Sequence, residues 1–334
     1  MTEVFGRKVQ AGERAYFAIP AGELAHKAVI QFPVIVASGA KAGPVLWING
    51  TVHGDELNGS YGAWELTREL DLDQVSGTVI VTPISNPIAF ECRNKISAID
   101  SVDMDTVFPG DPEGMLTQRF AHLLYQEMKK HANAVINFHT MATPYMADPY
   151  SVRKIVPGVP EEVNKIAEGM QRAFGVKTNC LVDLGAKTNE LPGVTNGALD
   201  ITCLKDGIPA FMGEMGQGGK VETAYVEAAK KGILNVMRFL HMLEGQAAET
   251  KGQVLITKRR FLRIDHGGLI KMQVKPGDVV KAGETLLDSH YYGEEVEHLA
   301  VQADSYIIGI RENPVVNTGD RIAFVGTEWK DWQR

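Results

Sequence analysis

Apolar runs bounded by turn residues alternate with helically spaced apolar positions over the first three-quarters of the chain. Residues 28 to 37 read as a strand or strand pair, 44 to 49 as a buried strand, and 57 to 70 as a helix. The Val/Ile/Thr run from Thr78 to Pro83 reads as another strand. Phe120, Leu123, Leu124 and Met128 share one helical face, which predicts a helix over 115–130. A strand follows over 134–138. A helix is expected over 161–174, with Pro160 near its first turn. A short strand over 209–212 and a long helix over 221–243 close this part. Strands alternating with helices predict an α/β fold, a mostly parallel mixed sheet with helices on both faces.

The pattern changes near Gly245–Thr250. Short β-like runs then follow, separated by turn signals at Gly267-Gly268, Pro276-Gly277-Asp278, Ala282-Gly283, Tyr292-Gly293 and Thr318-Gly319-Asp320. We therefore expect two domains, 1–250 and a small all-β domain over 251–334. Val274–Glu284 resembles the turn of biotinyl/lipoyl-like domains, and Val315–Ile322 looks like a second copy of the same hairpin. The prosthetic lysine of such domains is absent: Gln302-Ala303-Asp304-Ser305 stands in its place. A swinging-arm carrier role is not expected.

With 334 residues, 44% hydrophobic and 22% charged, the chain has an ordinary globular balance and room for a large core. The formal net charge of -7 argues against nucleic acid and anionic membranes as partners. Three scattered cysteines, Cys92, Cys180 and Cys203, suit a reducing compartment better than a disulfide framework. No signal-peptide core opens the sequence, and no run of about 18 apolar residues suggests a membrane span. The cytoplasm is the expected location.

The candidate chemistry lies at strand ends. Asn49-Gly50-Thr51-Val52-His53-Gly54-Asp55-Glu56 joins an apolar strand to a helix, so His53 and Glu56 can reach one ion. A catalytic zinc usually takes three protein ligands and keeps a position open. His139, ending the strand Val135–Phe138, is the third candidate. Ligands collect at the carboxyl ends of parallel strands, which strengthens the grouping. Glu214 has the same address, before a run of glycines; a carboxylate there can accept a proton from an activated water. His266, His290 and His298 match no compact ligand spacing and are expected in solvated loops.

Gly50–Glu56 resembles the G-x-x-H-G-[DN]-E motif of the succinylglutamate desuccinylase/aspartoacylase family. The likeness extends from about residue 25 to 330 through Asn86-Pro87, Ala89-Phe90, Arg93, Phe108-Pro109-Gly110, His139 and Glu214. It implies a zinc carboxypeptidase-like fold and a deacylase. It also implies one Zn²⁺ per chain held by His53, Glu56 and His139, Glu214 as general base, and Arg93 polarising the scissile carbonyl. The family's C-terminal domain shapes the substrate channel, which makes Tyr291 a candidate at its rim. Family members often associate, so a homo-oligomer is a possible state.

Two positions depart from the family pattern. Where relatives read D-L-N-R, with Asn-Arg gripping a substrate carboxylate, this chain reads Asp103-Met104-Asp105-Thr106. Asp105 and Thr106 are then candidate contacts for an amine, hydroxyl or amide of the substrate. Lys154, Arg153 and Lys187 are candidate replacement cations. Asn137 stands where relatives often place Asp, two residues before the third ligand. The expected function is zinc-dependent hydrolysis of a small N-acyl amino acid or amine. A zinc carboxypeptidase or peptidoglycan-type peptidase, or a non-catalytic metal-stabilised binding protein, are the alternatives.

Overall fold

The computed structural model describes residues 1–186, 196–291 and 294–332. Lys187 and the Tyr292-Gly293 turn lie outside the described residues. A hairpin of β1 (Thr2–Val4) and β2 (Arg7–Val9) precedes β3 (Arg14–Glu23), β4 (Val29–Ser38) and β5 (Lys41–Asn49). Helix α1 (Asn58–Glu69) leads into β6 (Ser76–Thr82), the short α2 (Pro87–Cys92), α3 (Leu116–His131) and β7 (Ala134–Met141). Then come β8 (Tyr145–Ala147), β9 (Tyr150–Ile155), α4 (Glu161–Phe174), β10 (Thr178–Asp183), α5 (Leu199–Lys205), β11 (Ala210–Gln217) and α6 (Thr223–Phe239). Every later α or β element among the described residues is a strand. These are β12 (Val254–Arg263), β13 (Gly268–Met272), β14 (Val279–Val280), β15 (Thr285–Tyr291), β16 (Glu294–Ala300), β17 (Ser305–Arg311), β18 (Val315–Val316) and β19 (Arg321–Asp331).

Local signals set the helix ends. Helix α4 starts after Pro160, carries Glu161 and Glu162 in its first turn, and stops at Gly175, whose φ of 85° an L side chain resists. Helix α3 opens with the Met115 N–H donating to Gln118 Oε1 at 2.9 Å and ends on Lys129, Lys130 and His131, which complement the helix dipole. Gly62 of α1 lets α6 approach so closely that an added Cβ would lie 2.8 Å from the Ala229 Cβ.

The main sheet runs β14-β17-β19-β12-β10-β9-β11-β7-β5-β6-β4-β3, with β8 paired to β17. It is mixed. Parallel pairing is confined to β6-β5-β7-β11 and to β9-β10-β12. The other neighbours are antiparallel, because hairpins such as β3–β4 build the flanks. The expectation of a mostly parallel sheet therefore describes the centre and not the edges. The last quarter of the chain joins this sheet through β10–β12 and adds a smaller sheet, β16-β15-β13-β18. The short strands β14 and β18 go to different sheets: β14 pairs with β17 in the main sheet and β18 with β13 in the smaller one.

Alternation along the central strands divides two cores. Leu46, Ile48, Val81, Ile136 and Phe138 pack with α1, α4 and α6. Trp47, Ile80 and Val135 pack on the other side with Phe120, Leu124 and Met128 of α3 and Leu199 and Leu204 of α5. Asn137 and His139 follow Val135 in the period-two pattern, so both belong to the α3/α5 side. No helix among the described residues is long and apolar enough to cross a membrane.

The loop after β5 is held by close backbone approach. A Cβ on Gly54 would meet the Ala89 carbonyl oxygen at 1.9 Å and the Phe90 nitrogen at 2.4 Å, and backbone cannot swing aside as a side chain can. Gly54→Ala is expected to cost about 1–3 kcal/mol of stability through this overpacking. A thermal melt of the metal-free protein reads it; an unchanged midpoint would contradict the account.

Candidate metal centre

The chain turns sharply as it leaves β5. Thr51 takes a positive φ of 49°, unusual for a β-branched residue, and is held by its hydroxyl on the Glu56 carbonyl (3.2 Å) and on Ser60 Oγ (2.8 Å). The Glu56 N–H closes the turn on the His53 carbonyl at 3.2 Å. His53 and Glu56 thus share one tight turn ahead of α1. His139 comes from β7, next to β5 in the sheet. Glu214 of β11 is in register with His139, so the two side chains leave the same face.

The three groups converge. Glu56 Oε1 lies 2.9 Å from His53 Nδ1, and Oε2 lies 2.9 Å from His139 Nδ1. The two Nδ1 atoms are 3.3 Å apart. Among the described residues, His53, Glu56 and His139 form the one group of His, Cys, Asp and Glu whose ligand atoms all lie within 4.8 Å. All three are buried.

Each imidazole is supported from behind. His53 Nε2 lies 3.0 Å from Asp103 Oδ1. His139 Nε2 lies 2.8 Å from Asn137 Nδ2 and 3.8 Å from Asp105 Oδ2. Partners on the far nitrogen are usual for metal-ligating histidines. Two imidazoles and a carboxylate with Nδ1 and Oε atoms turned to one point fit a zinc-type centre with an open position. A further buried atom lies on this face: Glu214 Oε2 has no hydrogen-bond partner among the described residues.

Electrostatics follow from burial and proximity. Burial alone would lower the His53 pKa, but Glu56 and then Asp103 outweigh it and raise it to about 10. Burial would raise Glu56, yet the two histidines hold it well below the usual carboxylate range. Asp103 is drawn down to about 2: burial opposes ionisation, but the hydrogen bond and charge of His53, with Lys95, prevail. Burial pushes Glu214 up to about 7, with the Glu56 charge adding to the rise.

Not every site residue expected from the sequence joins this cluster in the same way. Asp105 turns toward the interior: Oδ1 accepts the Leu199 N–H at 3.1 Å and Oδ2 backs His139. Thr106 is exposed, and its hydroxyl donates to the Asp103 carbonyl at 2.7 Å. Arg93 caps α2 with a φ of 51° and lines a cavity of about 390 Å³ with Gly54, Asp55, Phe90, Thr143 and Gly219. Tyr291 is exposed at the end of β15 in the smaller sheet. Arg153 faces α4, where it pairs with Glu168 at 3.0 Å. Lys154 faces the other way and forms a buried pair with Asp200 at 2.7 Å. His298 pairs with Asp288 at 2.7 Å on the surface.

Two residues escaped the reading of the sequence. Asp103 links His53 to Lys95, whose Nζ lies 3.3 Å from Asp103 Oδ2 while the side chain stays half exposed. Burial opposes charge on Lys95, but Asp103 and Glu56 raise its pKa. An Asp two positions before Asp105 and a Lys two after Arg93 were the available signals.

An N-alpha-acetyl-L-2,4-diaminobutyric acid deacetylase from Halomonas elongata is 23% identical over 304 residues, covering 89% of this chain and 85% of that protein. The product-bound ectoine utilization protein EutE (DoeB) from Ruegeria pomeroyi matches with a TM-score of 0.83 at 22% identity, over 96% of this chain and 97% of that one. A succinylglutamate desuccinylase/aspartoacylase from Rhodobacter sphaeroides matches with a TM-score of 0.81 at 23% identity, over 97% of both chains. At these identities the two structures establish a shared fold. The family model of the succinylglutamate desuccinylase/aspartoacylase catalytic domain matches residues 42–240, and the chain belongs to that family.

Proposed function

We propose that this protein is a zinc-dependent deacylase that hydrolyses the amide bond of a small N-acyl amino acid or N-acyl amine. The observation that carries the reading is the unpartnered, buried Oε2 of Glu214 on the strand face it shares with His139, next to the converging His53, Glu56 and His139. In this reading those three hold the metal, which would supply Lewis acidity to the scissile carbonyl and lower the pKa of water.

The chain's own groups do the rest. Glu214 takes a proton from the attacking water and returns it to the departing amine. Burial raises its pKa above the ordinary carboxylate value, which helps it hold the proton until the amine departs. A divalent cation alongside favours its carboxylate form. The resemblance gives Arg93 the task of polarising the carbonyl. We assign it instead to Lys95, because Lys95 is tied to His53 through Asp103 while its half-exposed ammonium keeps donors free. Asp103 fixes the His53 ring. The relative from Halomonas elongata, named as acting on an N-acetylated diamino acid, supports N-acyl diamino acids as the first substrates to try.

Zinc-loaded protein should release amine from a panel of N-acetyl, N-succinyl and N-formyl amino acids that includes diamino acids. Glu214→Gln should lower kcat by about 10²–10⁴. Full turnover by that variant would remove Glu214 from the mechanism.

Lys95→Met should lower kcat by about 10²–10³ with zinc content intact, and Arg93→Met should leave it within a few-fold. The reverse order would return the role to Arg93.

Zinc binding should release a proton. His53 is protonated in the metal-free site below about pH 10 and must be neutral to ligate. Apparent zinc affinity therefore rises about tenfold per pH unit for this proton between pH 6.5 and 8.5. Calorimetry in buffers of different ionisation enthalpy measures it; a flat affinity over that range would contradict the assignment.

A further inference from the structure

A chain of buried amides runs from the sheet to His139. Asn49 and Asn137 face each other in register across β5 and β7, and both are fully buried. Asn49 Nδ2 donates to Asn137 Oδ1 at 2.9 Å, and Asn137 Nδ2 lies 2.8 Å from His139 Nε2. At the far end Asn49 Oδ1 accepts from the hydroxyls of Thr82 (3.0 Å) and Ser85 (2.5 Å). Thr82 Oγ1 in turn accepts the Trp47 Nε1–H at 3.1 Å.

This polarity suits a His139 ring with a lone pair on Nε2. Metal ligation through Nδ1 demands the opposite: the ring proton must sit on Nε2 and find an acceptor. A ring carrying both protons makes the same demand. Asn137 meets it only by turning its amide so that Oδ1 faces His139. Its Nδ2 then faces Asn49, which must turn as well. The turned Asn49 N–H groups meet the Thr82 and Ser85 hydroxyls, which accept as readily as they donate. The Ser85 hydroxyl already has an outlet in the Thr82 carbonyl, 3.3 Å away. The rival acceptor, Asp105 Oδ2, is 3.8 Å from Nε2.

The geometry assigns Asn49 and Asn137 as positioning residues for the metal: a ladder of reversible polarity, terminated by hydroxyls, that turns over as a unit and gives the His139 Nε2–H its acceptor. It rests on the metal-binding reading above. Among the described residues the Asn49 side chain hydrogen-bonds to Asn137, Thr82 and Ser85 and not to the metal candidates or the proposed base, yet it decides which way Asn137 points.

The test is zinc affinity by chelator competition, with thermal melts of the metal-free proteins as a folding control. Asn137→Leu and Asn49→Leu should each weaken zinc about 10–100-fold. The near-isosteric Asn137→Asp should bind at least as tightly as the unmodified protein, because both carboxylate oxygens accept and no orientation is needed. In the Asn137→Asp background, Asn49→Leu should then cost less than threefold. A merely structural Asn49 would cost the same in both backgrounds, and that result would overturn the inference. So would a loss carried by Asp105→Asn with Asn137→Leu silent. Failure of the unmodified protein to bind zinc would remove the functional reading itself, a different outcome from zinc bound without this coupling.

Discussion

Burial of two imidazoles and one carboxylate around a single point is the constraint from which the site is built. None of the three groups retains much water, and an isolated charge there would be very costly. Glu56 shares its two oxygens between the histidines, which raises His53 and lowers Glu56. The same turn of each ring leaves Nδ1 inward and Nε2 outward, where Asp103 and Asn137 wait. His53 already has its acceptor in Asp103, whereas Asn137 must turn its amide to give the His139 Nε2–H one.

The sheet delivers these groups because its central strands are parallel and adjacent. β5 ends in the loop bearing His53 and Glu56, β7 carries His139, and β11 carries Glu214 in register beside it. Period-two alternation sends Asn137, His139, Glu214 and Lys154 to the α3/α5 side, while Arg153 goes to α4. Close approach at Gly54 then fixes the loop against α2.

Much of this was legible from the residues. The helix expected over 161–174 is α4 itself, since Pro160 and Gly175 punctuate it. Asn49–Glu56 announced two groups where β5 ends; His139 was legible as their partner, but it lies within β7, which runs on to Met141, and not at a strand end. Other features were hidden for physical reasons. β3 reads Arg14 to Glu23 with Pro20 and Gly22 inside and most positions exposed or half-exposed, so its pattern is weak. Arg93 and Lys95 are two residues apart around a left-handed turn, and their order in the sequence does not say that Lys95 is the one that pairs with Asp103. Asp105 looked like a substrate contact by its place in the motif; its inward rotation depends on the Leu199 N–H, nearly a hundred residues away.

The central claim is that His53, Glu56 and His139 hold zinc through both Nδ1 atoms and the Glu56 carboxylate. Zinc K-edge X-ray absorption on protein loaded one to one tests it most directly. The account predicts two imidazole rings and oxygen ligands at about 2.0–2.2 Å. A sulfur shell near about 2.3 Å, or fewer than two imidazoles, would place the metal elsewhere and contradict it.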